Sequence, residues 1–190
     1  MVAACHALPS PPHSELSRRP RLRASRRLLC YARGHEAANG EGAAMKVLVI
    51  DDEPEVRRVC GDILREEGWG VVEAADGPGG LAAARQERPD AVLLDVAMPG
   101  MDGFQVAEAL VQDEATRAIP IVFLTARTSF AEQLHGYEAG GIEYITKPFT
   151  LTTLVSVVRR VVERAATGSP AGANERQARI GALRLLLGIE

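Results

Sequence analysis

Val47-Leu48-Val49-Ile50-Asp51-Asp52-Glu53 is an apolar run that stops abruptly at acidic residues. An aliphatic run without polar alternation suits a strand buried on both faces of a parallel sheet. The same pattern recurs along the chain. Gly70–Glu73 is a second such run, Ala91–Leu94 is followed by Asp95, Ile121–Leu124 by Thr125, and Ile142–Ile145 by Thr146-Lys147-Pro148. Helical spacing fills the intervals. Val56, Val59, Cys60, Ile63 and Leu64 step by three and four residues, as do Leu151, Leu154, Val155, Val158, Val161 and Val162, so each set forms one buried stripe. Ser129 with Glu132 spells a capping box, and Thr150 is placed to cap the last of these helices. After Asp76 the glycines Gly77, Gly79 and Gly80 predict a helix with a frayed first turn, since an interior glycine costs about 1 kcal/mol relative to alanine. Five strand–helix units predict an α/β fold, an open, doubly wound, five-stranded parallel sheet with right-handed crossovers covering both faces. Ligands of such a sheet bind beyond the carboxyl ends of its strands.

The 190 residues are 46% hydrophobic, enough for one sizeable core, and only 4% aromatic. With so few aromatics and a formal charge of −3, nothing in the total suggests a nucleic-acid binder or a membrane-surface protein, and the charge is unevenly distributed. Residues 1–44 carry seven Arg and no Lys against three acidic residues, 45–166 carry 12 basic against 20 acidic, and 167–190 carry three against two. The middle is acidic and the ends are not. Residues 1–44, with four prolines and no sustained period, are expected to be a disordered extension. Two readings of it stand side by side: an organelle-type targeting segment, Arg- and Ser-rich and acid-poor, or a start site assigned too early, with translation beginning at Met45. Residues 167–190 are expected to be a short tail. Cys5, Cys30 and Cys60 form no disulfide framework, and no apolar stretch has the length of a membrane span, so a cytoplasmic protein is expected. His135 has no metal-spaced partner and is expected on a helix surface.

The chemistry lies at the strand ends. Three carboxylates gathered there, Asp51, Asp52 and Asp95, would repel one another without a cation, and an all-oxygen ligand set suits Mg²⁺ or Mn²⁺ rather than zinc. A carboxylate can attack phosphorus to give an acyl phosphate, with a metal and an ammonium offsetting the charge of the group in transit. Lys147 offers the ammonium and Thr125 a hydroxyl.

These segments, with Leu93-Leu94-Asp95-Val96-Ala97-Met98-Pro99-Gly100-Met101-Asp102-Gly103, Leu124-Thr125-Ala126 and Tyr144-Ile145-Thr146-Lys147-Pro148-Phe149, resemble the receiver domain of bacterial response regulators over about residues 45–166. Four motifs in order, each at a strand end, make the resemblance specific. It implies a flavodoxin-like (βα)5 fold with strand order 2-1-3-4-5. It makes Asp95 the phosphoacceptor and Asp51, Asp52, Asp95 and the Ala97 backbone carbonyl the metal ligands. Thr125, Ala126 and Lys147 would bind the phosphoryl group, Thr125 and Tyr144 would form the switch, and the Lys147–Pro148 bond would be cis. It further implies a sensor histidine kinase or phosphotransfer protein as donor. The output would pass through the face of the fourth helix, last strand and last helix, to a downstream protein or a second copy.

Other readings of the same residues are open. Asp51 and Asp52 could cap the following helix, and Tyr144 could be half-buried packing. A phosphohydrolase with an aspartate nucleophile would share the sheet and cation, but such enzymes carry a second aspartate two residues on, where Ala97 stands here. A switch with at most self-catalysed phosphotransfer and autodephosphorylation is therefore expected, not a turnover enzyme. Arg179-Ile180-Gly181-Ala182-Leu183-Arg184-Leu185 resembles the entry to a winged-helix domain, so a truncated two-domain transcriptional regulator is the alternative to a short tail helix.

Overall fold

The structure is a computed structural model that describes residues 45–126, 129–166 and 171–189. The expectations for residues 1–44 lie outside the described residues. The elements are β1 (Lys46–Ile50), α1 (Pro54–Glu66), β2 (Gly70–Ala74), α2 (Gly77–Glu87), β3 (Ala91–Asp95), α3 (Gly103–Gln112), β4 (Ile121–Thr125), α4 (Phe130–Ala139), β5 (Glu143–Thr146), α5 (Leu151–Ala166) and α6 (Ala171–Leu187). All strand pairs are parallel, in the order β2-β1-β3-β4-β5.

Side chains alternate across each strand, so one apolar run feeds two cores. Val47 and Val49 of β1 pack with Leu93, Leu124 and Ile145 under Cys60 and Leu64 of α1 and Leu154, Val158 and Val161 of α5. Leu48 and Ile50 turn the other way, with Leu94 and Phe123, under α2, α3 and α4 through Ala84, Phe104, Val106 and Ala139. Both faces of β1, β3 and β4 are covered, which is why these strands read as continuous aliphatic runs. Burial in the first core pushes the Cys60 thiol up to about 12, so it acts as a small apolar side chain.

Three local expectations are corrected. The first turn of α2 is intact. Asp76 caps it by accepting the Gly79 N–H at 2.7 Å, and Gly80 and Gly77 lie where a Cβ would strike Ile50 and the Met101–Val106 edge. These glycines let α2 approach β1 and α3 closely, which composition alone could not show. At Ser129 half a capping box forms: its hydroxyl oxygen accepts the Glu132 N–H at 3.3 Å, but the hydroxyl donates to the Glu132 carboxylate instead of leaving that carboxylate for the cap N–H. The last strand begins at Glu143, one residue later than expected, although the Ile142 N–H already bonds the Ile121 carbonyl of β4 at 3.0 Å. Thr150 caps α5 as expected, accepting the Thr153 N–H at 3.2 Å.

Beyond these units, α6 lies on α4 and the β5 edge. Ile180 and Leu183 are buried against Leu134 and Tyr137, with Tyr144 and Leu187 at the margin. The Arg179–Leu185 stretch is the middle of this one helix. Leu185 and Leu186 point away and are exposed. Among the described residues no helix is long and apolar enough to cross a membrane.

Candidate functional site: an acidic cluster at the strand ends

Asp51 follows β1 and Asp95 ends β3; because these strands are neighbours in register, their carboxylates converge. Asp51, Asp52 and Asp95 each offer an oxygen within 4.8 Å of the others. Asp51 and Asp95 are buried at 0% and 4% exposure, while Asp52 is half-buried at the rim. Burying carboxylates is costly unless they are paired. Lys147, one residue beyond β5, supplies the pairing: its Nζ donates to Asp51 Oδ2 at 2.8 Å and Asp95 Oδ1 at 2.7 Å, with Glu53 farther off at 3.7 Å.

The remaining oxygens are also committed. Asp51 Oδ1 accepts the Glu53 N–H at 2.9 Å and Asp95 Oδ2 accepts the Ala97 N–H at 3.0 Å. Neither Asp51 nor Asp52 is the cap of α1; that position is Glu53, which makes no side-chain cap bond. Thr125 ends β4, is buried, and stands opposite Thr146 in the ladder, and the Lys147 N–H bonds its carbonyl at 2.8 Å. Ala126 follows, exposed at the rim. The Lys147–Pro148 bond is cis. Beside the cluster a shallow cleft is lined by Asp52, Val96, Ala97, Met98, Pro99, Asp102 and Phe104.

The cluster is short of positive charge. Burial raises the Asp51 pKa, and the Lys147 bond and the Glu53 N–H only partly offset this. For Lys147 burial pulls the pKa down, but the bonds to Asp51 and Asp95 outweigh it, so the net shift is up. Three carboxylates against one ammonium leave a formal excess of two negative charges, matched in size and ligand type by a hard divalent cation.

Tyr144 lies outside this cluster. Its ring packs 5.2 Å from Phe123 and 5.1 Å from Tyr137, and its hydroxyl donates to the Gln133 and Glu132 carbonyls of α4 at 3.1 and 3.3 Å. It sits inward, half-buried, over Gly136, where a Cβ would run into the hydroxyl. Burial drives its phenol pKa up.

Several contributors escaped the sequence reading. Arg57 Nη1 donates to the Asp51 and Asp52 carbonyls at 2.7 and 3.0 Å, fixing the acidic turn. A signal was available, since a cation in the first turn of a helix opposes the macrodipole and so calls for a local partner. Gly103 allows α3 to start against the Asp95 carbonyl, where a Cβ has no room. His135 is exposed as expected, yet its ring packs 4.4 Å from Phe104.

Comparison with known proteins agrees with this geometry. The family described as response regulator receiver domain matches residues 47–159. The chain belongs to this family. A receiver domain is a signalling phosphoacceptor module of two-component systems. The receiver is 39% identical over 124 residues to the probable transcriptional regulatory protein TcrX of Mycobacterium tuberculosis, covering 65% of this chain and 52% of TcrX. To PilH of Pseudomonas aeruginosa it is 36% identical over 117 residues, covering 62% of this chain and 97% of PilH. The chain thus spans about half the length of TcrX and nearly all of PilH's. Among solved structures, the chemotaxis protein CheY4 of Vibrio cholerae superposes with a TM-score of 0.61 at 35% identity, covering 63% of this chain and 99% of CheY4. The receiver domain of the P. aeruginosa sensor histidine kinase PA1611, described with a magnesium ion coordinated in its active site cleft, gives 0.59 at 30%, covering 63% and 98%.

Proposed function

We propose that this receiver takes a phosphoryl group on Asp95, from a sensor histidine kinase or a phosphotransfer protein, in a reaction that requires Mg²⁺ or Mn²⁺. The observation that carries the reading is the Lys147 ammonium shared between two buried carboxylates, Asp51 and Asp95, at 2.7–2.8 Å. A carboxylate oxygen of Asp95 forms the new O–P bond while the donor's P–N or P–O bond breaks, and the donor keeps the electron pair. Lys147 stays beside the phosphoryl oxygens, Thr125 donates its hydroxyl and Ala126 its N–H to them. Asp51, Asp52, Asp95 and the Ala97 carbonyl would hold the cation, which would supply positive charge to offset that of the group in transit. The reaction ends on the protein, so the chain acts as a switch with self-catalysed transfer and loss, not as a turnover enzyme.

The unit doing this is residues 45–166, in a cytoplasmic setting. Its output passes through α4, β5 and α5 to a downstream protein or a second copy, without nucleic-acid contact by the receiver itself. Tyr144 on that face couples to Thr125 as the switch.

The test is incubation with acetyl phosphate and Mg²⁺, followed by acid quench and intact mass. One phosphoryl group per chain is expected, with none in excess chelator. Asp52→Ala should weaken Mg²⁺ binding by roughly tenfold or more in calorimetry. Full labelling in chelator would defeat the cation requirement, and unchanged affinity in the variant would remove Asp52 from the ligand set.

A further inference from the structure

Every arginine of α6 lands on the α4–β5 edge. Arg179 Nη1 donates to Glu143 at 2.8 Å and to the Tyr137 hydroxyl at 2.6 Å, and its guanidinium stands 5.5 Å from the Tyr137 ring. Arg184 reaches Glu138 at 2.6 Å. Arg176 donates at 3.5 Å to the carbonyl of Gly140, at the negative end of α4. Between these arginines Ile180 and Leu183 fill the groove over Leu134 and Tyr137. The result is one basic, apolar helical face, Arg176, Arg179, Ile180, Leu183 and Arg184, matched to an acidic, aromatic edge.

The buried charge on this edge does not depend on α6 alone. Glu143, buried beside the groove, is held on its other side by Arg160 of α5 at 2.9 Å, so removing α6 leaves no unpaired buried charge. Tyr144, whose ring meets Tyr137, borders the same cluster.

We propose that α6 is an intramolecular occupant of the α4–β5 surface, so that an external partner, itself a basic amphipathic helix, binds there only by displacing it. This rests on the proposed function in assigning that surface to output. It adds that the surface is closed in cis and names the chemistry that opens it. The contact also bears on the switch, because α6 grips Tyr137 and Tyr137 backs the inward seat of Tyr144.

A tethered helix acts at an effective concentration on the order of millimolar, so one that docks in cis must bind in trans with a Kd below about that value. The probe is therefore a synthetic peptide of residues 171–189, titrated into the ¹⁵N-labelled full chain and followed by amide shifts, without phosphodonor or metal. Ile180→Glu/Leu183→Glu in the full chain should uncover the edge, and the peptide should then shift amides of α4 and β5 with at least about tenfold tighter binding than in the wild type. Glu143→Lys added to that variant should abolish the gain. Arg179→Ala serves as a gentler uncovering variant where the double substitution aggregates. Equal binding to wild type and uncovered chains, or none to a folded uncovered chain at about millimolar peptide, overturns the proposal. A wild-type dimer in ultracentrifugation that becomes monomeric in the Ile180→Glu/Leu183→Glu variant also overturns it, by placing α6 on a second copy. Acetyl phosphate labelling of the same chains reports Asp95 chemistry independently, so failure of one reading is not failure of the other.

Discussion

A methyl group added at position 136 would meet the Tyr144 hydroxyl and the Phe123 ring edge, which lies 2.9 Å from the added carbon. Gly136 stands inside α4, where glycine normally costs about 1 kcal/mol, so its presence signals space given up to a neighbour. The space holds the inward seat of Tyr144, with two carbonyl acceptors for its hydroxyl. Gly136→Ala is expected to destabilise the protein by roughly 1–3 kcal/mol in urea unfolding. The loss should be smaller by at least about 0.5 kcal/mol in a Tyr144→Ala background, because the two sites share the clash. Equal losses in the two backgrounds would show that Tyr144 is not what Gly136 accommodates. Lys147 works at the same scale by a different means. Its compact ammonium fits between two buried carboxylates, a position the broad guanidinium of arginine would fill differently.

Among the elements, those with a strong period were legible and those that depend on a neighbour were not. The doubly buried runs of β1, β3 and β4 announced themselves, as did the single stripes of α1 and α5. The glycines of α2 misled because composition records their propensity but not the Ile50 side chain they make room for. Asp51, Asp52, Asp95 and Lys147 were readable as a group because the parallel sheet places all carboxyl ends on one edge. Glu143 was not, since its partners Arg160 and Arg179 lie on two different helices and at no strand end, where the fold would have pointed to them. Burial alone would raise the Glu143 pKa, but the bonds from Arg179 and Arg160 outweigh it and the net shift is down. A carboxylate depressed in the folded state stabilises fully above its ordinary value of 4.5 and loses that contribution as pH falls through the lower folded value. Between about pH 7 and about pH 3.5 the melting temperature should therefore fall more in the wild type than in Glu143→Gln. Parallel falls would mean that Glu143 carries no net charge-dependent stabilisation.

For the molecule as a whole, the five strands bring to one edge groups spread over nearly 100 positions of sequence, from Asp51 to Lys147. Trp69, the single tryptophan, precedes β2 at the opposite end of the sheet, so its fluorescence reports the core and calorimetry is the direct measure of cation binding at the cluster. In the proposed function the acidic edge and the cation it suits serve one covalent event, phosphoryl transfer to Asp95. An acyl phosphate on aspartate is reduced by borohydride: hydride adds to the carbonyl carbon, phosphate leaves, and further reduction yields homoserine. Treating the acetyl phosphate-labelled chain with borohydride and mapping its peptides by mass should place homoserine at position 95, with none in Asp95→Asn. Homoserine at Asp51 or Asp52, or at no aspartate in a chain that carries the phosphoryl mass, would contradict the assignment of Asp95 as phosphoacceptor.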